Sequence, residues 1–182
     1  MSPNIGTGVS VAFLWVWLGG FSGLLFLPNT AHSQTIEWIR QFGSTSNDWA
    51  NRVAVDTSGV YVAGLTNGAL PGQTSAGLED AFLRKYEDSG NELWTRQFGS
   101  ESSDVALGVA VNATDVYVVA YTKDTLLGGT VGRDAFVGKY DTNGNESWTR
   151  PFGSTSYDEA WGVAVDATGV YVAGITGGAL PG

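Results

Sequence analysis

Three near-copies of one pattern govern what this chain can fold into. Ile36 to Ala63 reads IEWIRQFGSTSNDWANRVAVDTSGVYVA, Asn91 to Val119 reads NELWTRQFGSESSDVALGVAVNATDVYVV, and Asn145 to Ala173 reads NESWTRPFGSTSYDEAWGVAVDATGVYVA. A self-similar array buries apolar surface between neighbouring copies, so the repeat decides the architecture before any single residue does. The interval is 56 residues from Asp48 to Asp104 and 54 from Asp104 to Asp158. Leu70 to Leu126 is still 56 whereas Asp80 to Asp134 is 54, which places the change in the Gly-rich stretch between them. That stretch is a loop, because length changes are tolerated where no ladder register is kept.

Within one repeat the pattern predicts four short strands. NRVAVD (Asn51 to Asp56) is strand a, and VYVAGLT (Val60 to Thr66) is strand b, joined in a tight hairpin through Thr57, Ser58 and Gly59. The loop NGALPGQTSAGLE leads to strand c, DAFLRKY (Asp80 to Tyr86), and Glu87 to Gly90 turn the chain into strand d, ELWTRQF (Glu92 to Phe98). Both side-chain sets of strand b are apolar or small, Val60, Val62 and Gly64 against Tyr61, Ala63 and Leu65, as in a strand covered on both faces. Strands c and d carry Arg84, Lys85, Glu92, Arg96 and Gln97 and read as half-solvated. A radial stack of four-stranded meanders, with a and b near an axis and d at the rim, has this gradient and is the geometry of β-propeller blades.

The run W-x-R-Q-F-G-S, then D, V-A-V-D, V-Y-V-A-G, D-A-F and K-Y, closed by G-N-E-x-W, resembles the bacterial β-propeller repeat called the SBBP repeat, over essentially all of Ile36 to Gly182. The resemblance implies an all-β fold of antiparallel meander blades and is silent on activity, because that family is defined by architecture. The strand count gives one d strand at the start, two complete sets and then a and b of a third, about two and a half blades. Such a partial β-propeller cannot close a ring by itself, which suggests a fragment of a longer protein or a ring completed by oligomerisation. The repeat region is residues 34–182, with repeats at about 36–90, 91–144 and 145–182, the last incomplete.

Residues 1–33 differ in kind. Val9 to Leu27 is an uncharged apolar run followed by PNTAHSQ, with Ala31 and Ser33 at the spacing a signal peptidase reads. The segment reads as a signal peptide cleaved after Ser33, with an uncleaved membrane anchor or a buried core segment as the alternatives, since a bilayer-spanning helix needs roughly 20 residues. Either leading reading exports the repeats to the periplasm, the cell surface or the extracellular space. Contact with a membrane is expected only if the segment is uncleaved.

Chemistry is thinly represented. A net charge of −9 disfavours nucleic acid and anionic membranes, which are bound through clustered Lys and Arg. The chain has no Cys, and its one His, His32, lies in the presumed signal peptide, so no thiolate site, disulfide or Ser-His-Asp triad is expected in the repeats. Asp48, Asp104 and Asp158 stand in Ser-rich turns before strand a; an Asx-type turn accounts for them, and a weak calcium or sugar-hydroxyl ligand is the functional alternative. No other cofactor is expected. The run Asp141 to Glu146 matches the start of a calcium loop but reads as a c-to-d turn, as does Glu87 to Glu92. Trp38, Trp94 and Trp148 recur on strand d and suit packing between blades better than sugar stacking. Trp49 and Trp161 do not recur in the middle copy and are the better contact residues. Arg84, Lys85, Arg133 and Lys139 read as a solvated or ion-paired face.

In an antiparallel meander the d-to-a turns and the b-to-c loops (Asn67 to Glu79, Lys123 to Arg133) leave one end of the blade together. Variable loops on a rigid scaffold carry recognition, so Asp48, Asp104, Asp158, Trp49 and Trp161 on that face are the candidate ligand-binding residues for a protein or carbohydrate partner. The expected function is a secreted or cell-surface binding module, with a fragment of a propeller enzyme of lyase or dehydrogenase type, acting on the axis, as the alternative.

Overall fold

The computed structural model describes residues 36–123 and 132–180. Trp38–Gly182 is one compact unit; the expected signal peptide or anchor lies outside the described residues, as does most of the loop from Lys123 to Arg133. Among the described residues there is no helix long and apolar enough to cross a membrane.

The chain is all-β, built of separate antiparallel sheets. The first holds β1 (Asp48–Asp56), β2 (Gly59–Thr66), β3 (Asp80–Tyr86) and β4 (Glu92–Phe98) in sequential order. The second repeats it with β5 (Asp104–Val111), β6 (Asp115–Thr122), β7 (Asp134–Asp141) and β8 (Glu146–Phe152). The third consists of β9 (Asp158–Val165) and β10 (Val170–Thr176). β2, β3 and β4 start within a residue of the expected bounds, because Thr57–Gly59 and the Gly90 and Gly144 turns end the alternating runs where the pattern breaks.

β1 starts three residues earlier than strand a. A bulge between Ala50 and Arg52 takes Asn51 out of register and lets pairing continue to Asp48↔Thr66, so Trp49 stands in the strand and Asp48, which closes the Ser-rich turn, is also its first paired residue. The same bulge recurs at Leu107, between Ala106 and Gly108 of β5, and at Trp161 of β9, which is skipped where Ala173 pairs with Gly162 and Gly174 with Ala160. In the first sheet its extra residue is used: Asn51 Nδ2 donates to Ala106 O of the second sheet at 2.9 Å.

The sheets stack face to face. Tyr61, Ala63, Ala81 and Leu83 of the first pack on Val116, Val118, Ala120, Phe136 and Tyr140 of the second. The opposite face of the second, Val119 and Ala135, packs on Ala160 of the third, with Val163 at the margin. β5 is buried because it lies between β1 and β9, whereas Val53 and Val55 of β1 are exposed. Two-sided cover is met by β6, which is buried from Val116 to Thr122 between the first and third sheets, whereas in β2 the Val60, Val62 and Leu65 side is only half-buried.

Two expectations are corrected. β3 is buried along its whole length and is not half-solvated. Arg84 pairs with Glu92 at 3.3 Å and stacks over the Phe42 ring at 3.9 Å, while Lys85 Nζ donates to Ser58 Oγ at 3.1 Å and Thr142 O at 3.0 Å. Their apolar stems fill the space between sheets, while the Lys85 head finds acceptors on turns and the Arg84 head a carboxylate on β4. The segment around Trp38–Phe42 is also no strand, since no described strand c lies beside it to complete a ladder. It nonetheless makes the contacts of a strand d: Phe42 meets Phe82 edge-on at 5.4 Å, and Trp38 lies 5.9 Å from Tyr86.

Those contacts repeat. Trp38 Nε1 donates to Asp88 O at 2.9 Å and Arg40 Nε to Gly90 O at 2.7 Å. One repeat later Trp94 Nε1 donates to Thr142 O at 3.1 Å and Arg96 Nε to Gly144 O at 2.7 Å. Gly90 and Gly144 have φ of 81° and 79°, and a Cβ on either would lie within 2.8 Å of the Trp ring, so backbone conformation and lack of space both demand glycine. Trp38 and Trp94 thus tie one sheet to the next, as expected of inter-blade packing, whereas Trp148 packs on Tyr117 of its own sheet.

Phe136, buried between sheets, should cost about 3–5 kcal/mol when cut to Ala. Phe152, at the equivalent of Phe98 but partly exposed, should cost less than half as much. Chemical denaturation of both variants checks this; equal losses would contradict the stacking described.

Candidate functional site

The expected ligand-binding aspartates are held by a six-residue turn, G-S-x-S-x-D, present at Gly43–Asp48, Gly99–Asp104 and Gly153–Asp158. Asp104 Oδ2 accepts from Ser100 N at 2.7 Å and from Ser100 Oγ at 2.9 Å, and Ser102 N donates to Ser100 Oγ at 3.2 Å. Asp48 with Ser44, at 2.8 Å from its N–H, and Asp158 with Ser154, also 2.8 Å, repeat the arrangement. A Cβ on Gly43, Gly99 or Gly153 would come within 2.7 Å of the carboxylate. The carboxylate therefore rests on the glycine, which fixes the whole motif. A buried N–H without this acceptor would carry a penalty of about 1–3 kcal/mol.

Each turn lies against the loop of the preceding sheet. Asp104 N donates to Glu79 O, and Asp158 N to Arg133 O, both at 2.7 Å. The Asp-bearing turns and the ends of the b-to-c loops accordingly share one face. The three aspartates open three different sheets, and among the described residues there is no group of three or more His, Asp or Glu side chains that could hold a metal.

Carboxylates do meet in pairs. A Cβ on Gly99 would touch Asp104 Oδ2 at 2.7 Å and Asp80 Oδ1 at 2.8 Å, so the two acids flank one glycine at the junction of the first and second sheets. Asp80 is supported by Ala76 N at 2.9 Å and Gln97 Nε2 at 2.7 Å. At the next junction Pro151 replaces Gln97 and has no amide to offer Asp134. Burial, and then the Asp158 charge, push the Asp134 carboxyl above the usual range.

Trp49 and Trp161 are both exposed, but on non-equivalent positions and on different sheets. Trp161 belongs to a cluster that sequence reading did not assemble. Its Nε1 donates to Glu159 Oε2 at 2.8 Å. Glu159 is paired with Arg133, whose guanidinium lies 4.5 Å from the Tyr121 ring and 5.3 Å from that of Tyr157. Burial pushes Glu159 up, but hydrogen bonds from Trp161, Arg133 and Tyr157 outweigh it and hold its carboxyl below the usual range. Trp161 is 46% exposed and Tyr157 39%, so an aromatic surface surrounds a fixed ion pair. The sequence signal was the one that marked Trp161: Tyr157 stands where the other copies have Asn47 and Ser103, and Glu159 where they have Trp49 and Val105.

Stacked antiparallel four-stranded sheets, tied edge to turn, define the chain as a repeat protein with the features of propeller blades. The family model described as SBBP, a beta-propeller repeat, matches residues 37–71, which contain β1, β2 and the first Asp turn, and the chain carries a repeat of this type. The chain is also similar to the regulatory protein FlaEY of Caulobacter vibrioides, at 33% identity over 125 residues. That match covers 62% of this chain and 13% of the relative, so the chain spans a small part of that protein's length.

The opposite shifts of Asp134 and Glu159 give opposite pH effects. Asp134, raised on folding, removes stability as pH rises from the ordinary Asp range through its folded value; Asp134→Asn should therefore gain on the wild type as pH rises and match it in strong acid. Glu159, lowered on folding, adds stability above the ordinary Glu range that is lost as pH falls; Glu159→Gln should lose on the wild type at neutral pH and match it in acid. Denaturation midpoints across mildly acidic pH check both signs.

Proposed function

We propose that the chain is an exported β-propeller repeat module, about two and a half blades by its sheet count, that binds a protein or glycan through its loop face. The observation that carries the reading is the cluster of exposed Tyr157 and Trp161 with half-buried Arg133 around Glu159 on that face. Aromatic residues and Arg that are held in place before binding supply most of the energy of protein contacts, and Tyr and Trp faces also stack on sugar rings. The cluster rests on sheet elements and is braced by the ion pair, which limits the ordering cost on binding. Export follows from the apolar run Val9 to Leu27 ahead of the repeats. The name of the similar Caulobacter protein, a regulatory protein, suits a role in binding more than one in catalysis.

Selection of the chain against a displayed peptide library and a glycan array tests the reading. Ligands chosen by the wild type should weaken at least about tenfold with Trp161→Ala or Tyr157→Ala, the loss of one contact residue worth about 1.4 kcal/mol. If they are unaffected by those changes but lost on substitution of the opposite turns at Ser58 and Thr114, the loop face is not the binding surface.

A further inference from the structure

Two exposed asparagines precede a glycine, Asn67 before Gly68 and Asn143 before Gly144. Asparagine in this setting is chemically labile, because glycine has no Cβ to shield its nitrogen from the preceding side-chain amide. The other asparagines of the described residues are tied or shielded. Asn51 Nδ2 donates to Ala106 O, Asn91 Nδ2 to Glu87 and Ser89, and Asn145 Nδ2 to Asp141. Asn112 Oδ1 accepts from Thr114 and Asp115, and Asn47 is followed by Asp48, whose side chain crowds its nitrogen. The main-chain N–H of Asn143 donates to Asp141 Oδ1 at 2.9 Å, but among the described residues nothing holds its carboxamide.

The two sites differ in what surrounds them. Gly144 cannot be exchanged, since its φ is 79° and a Cβ on it would lie 2.8 Å from the Trp94 ring. The packing that ties the first sheet to the second therefore sets a glycine directly after Asn143. The carbonyls on either side of Asn143 are the ones the first sheet grips: Thr142 O accepts from Trp94 Nε1 at 3.1 Å and Lys85 Nζ at 3.0 Å, and Gly144 O from Arg96 Nε at 2.7 Å. By contrast, Gly68 O is held by Gln97 and Thr66 of its own sheet.

We propose that Asn143 is a spontaneous modification site whose conversion to isoaspartate releases the second sheet's turn from the first sheet. Gly144 N gives up its proton to solvent and bonds to Asn143 Cγ, the Cγ–Nδ2 bond breaks, and ammonia leaves a five-membered imide. Water then opens the ring at one of two bonds. Cleavage of the bond from Cγ to Gly144 N gives aspartate with the original backbone; cleavage of the bond from the Asn143 main-chain carbonyl carbon gives isoaspartate, with one extra methylene in the main chain. That methylene lies between the two gripped carbonyls, so Trp94, Lys85 and Arg96 no longer meet both at once. Gly144 N–H donates to Asp141 O at 3.0 Å, so the nitrogen is freed when the turn opens and the folded chain reacts more slowly than a free peptide. This site is independent of the loop-face binding proposed above.

The full chain carrying Asn67→Gly, the residue of the third copy at that place, is the parent for the test. It is incubated at mildly alkaline pH, residue 143 is followed by peptide mapping, and isoaspartate is counted by methylation with a protein isoaspartyl methyltransferase. Isoaspartate is expected to accumulate at 143, and the modified fraction to show a folded-to-unfolded ratio at least about fivefold lower in chemical denaturation. Asn143→Ser copies Ser89 of the first sheet's turn, which Trp38 and Arg40 grip in the same way, and should hold its denaturation midpoint through the incubation. Asn143→Asp, the aspartate product with an unaltered backbone, should unfold at the midpoint of the fresh parent, and far-ultraviolet circular dichroism confirms that both variants are folded. An intact Asn143 after a peptide of residues 139–147 has fully reacted overturns the proposal. Isoaspartate at 143 with an unchanged midpoint, or Asn143→Ser losing stability as fast as the parent, overturns it too.

Discussion

Side chains of one sheet donating to main-chain carbonyls of the next hold this protein together. Trp94 and Arg96 are two residues apart on a strand and therefore point the same way, which brings the indole and the guanidinium onto one turn of the neighbouring sheet. Lys85 adds a third donor to the same turn, and its ammonium lies 5.0 Å from the Tyr61 ring. Each hydrogen bond contributes about 1 kcal/mol net, but together with the cation–aromatic contacts they fix the rotation of one sheet on the next, which apolar packing alone leaves loose. The apolar layer of small and β-branched residues then closes at one spacing.

The strand order and sheet number were legible because the repeat displays the same alternation three times, with glycine turns between. Less was legible wherever a residue's role depends on another copy. Lys85 and Arg84 read as solvated because their acceptor or stacking partner lies on a neighbouring element, Thr142 in one case and Phe42 in the other. Trp38–Phe42 read as a strand because its residues match β4, although a ladder requires a partner that its own residues cannot supply. Strand a read as starting at Asn51 because the bulge that extends β1 back to Asp48 has no signature of its own in the residue pattern. The cluster around Trp161 was half visible: non-repetition marked the tryptophan, but only the folded chain brings Arg133 beside Glu159.

The electrostatics of the loop face follow from the same stacking. Every junction brings the acid that starts one sheet's β-strand close to the acid that starts strand c of the sheet before, as Asp80 and Asp104 meet across Gly99. The first junction supplies amide donors through Gln97, and the second substitutes Pro151. Next to that less supported acid, the chain places Arg133 and Glu159 in an ion pair. The junction with the least internal support thus carries the most elaborate surface.

The turns that receive Trp and Arg are read through carbonyl oxygens and a glycine, not through their side chains. Glu87-Asp-Ser-Gly-Asn and Asp141-Thr-Asn-Gly-Asn differ at three of five positions and are grasped in the same way. Units that recognise one another by backbone shape stay mutually compatible while their sequences drift. Unequal recombination between copies, which joins the front of one unit to the back of another, would then yield arrays of new length whose seams fit without further mutation.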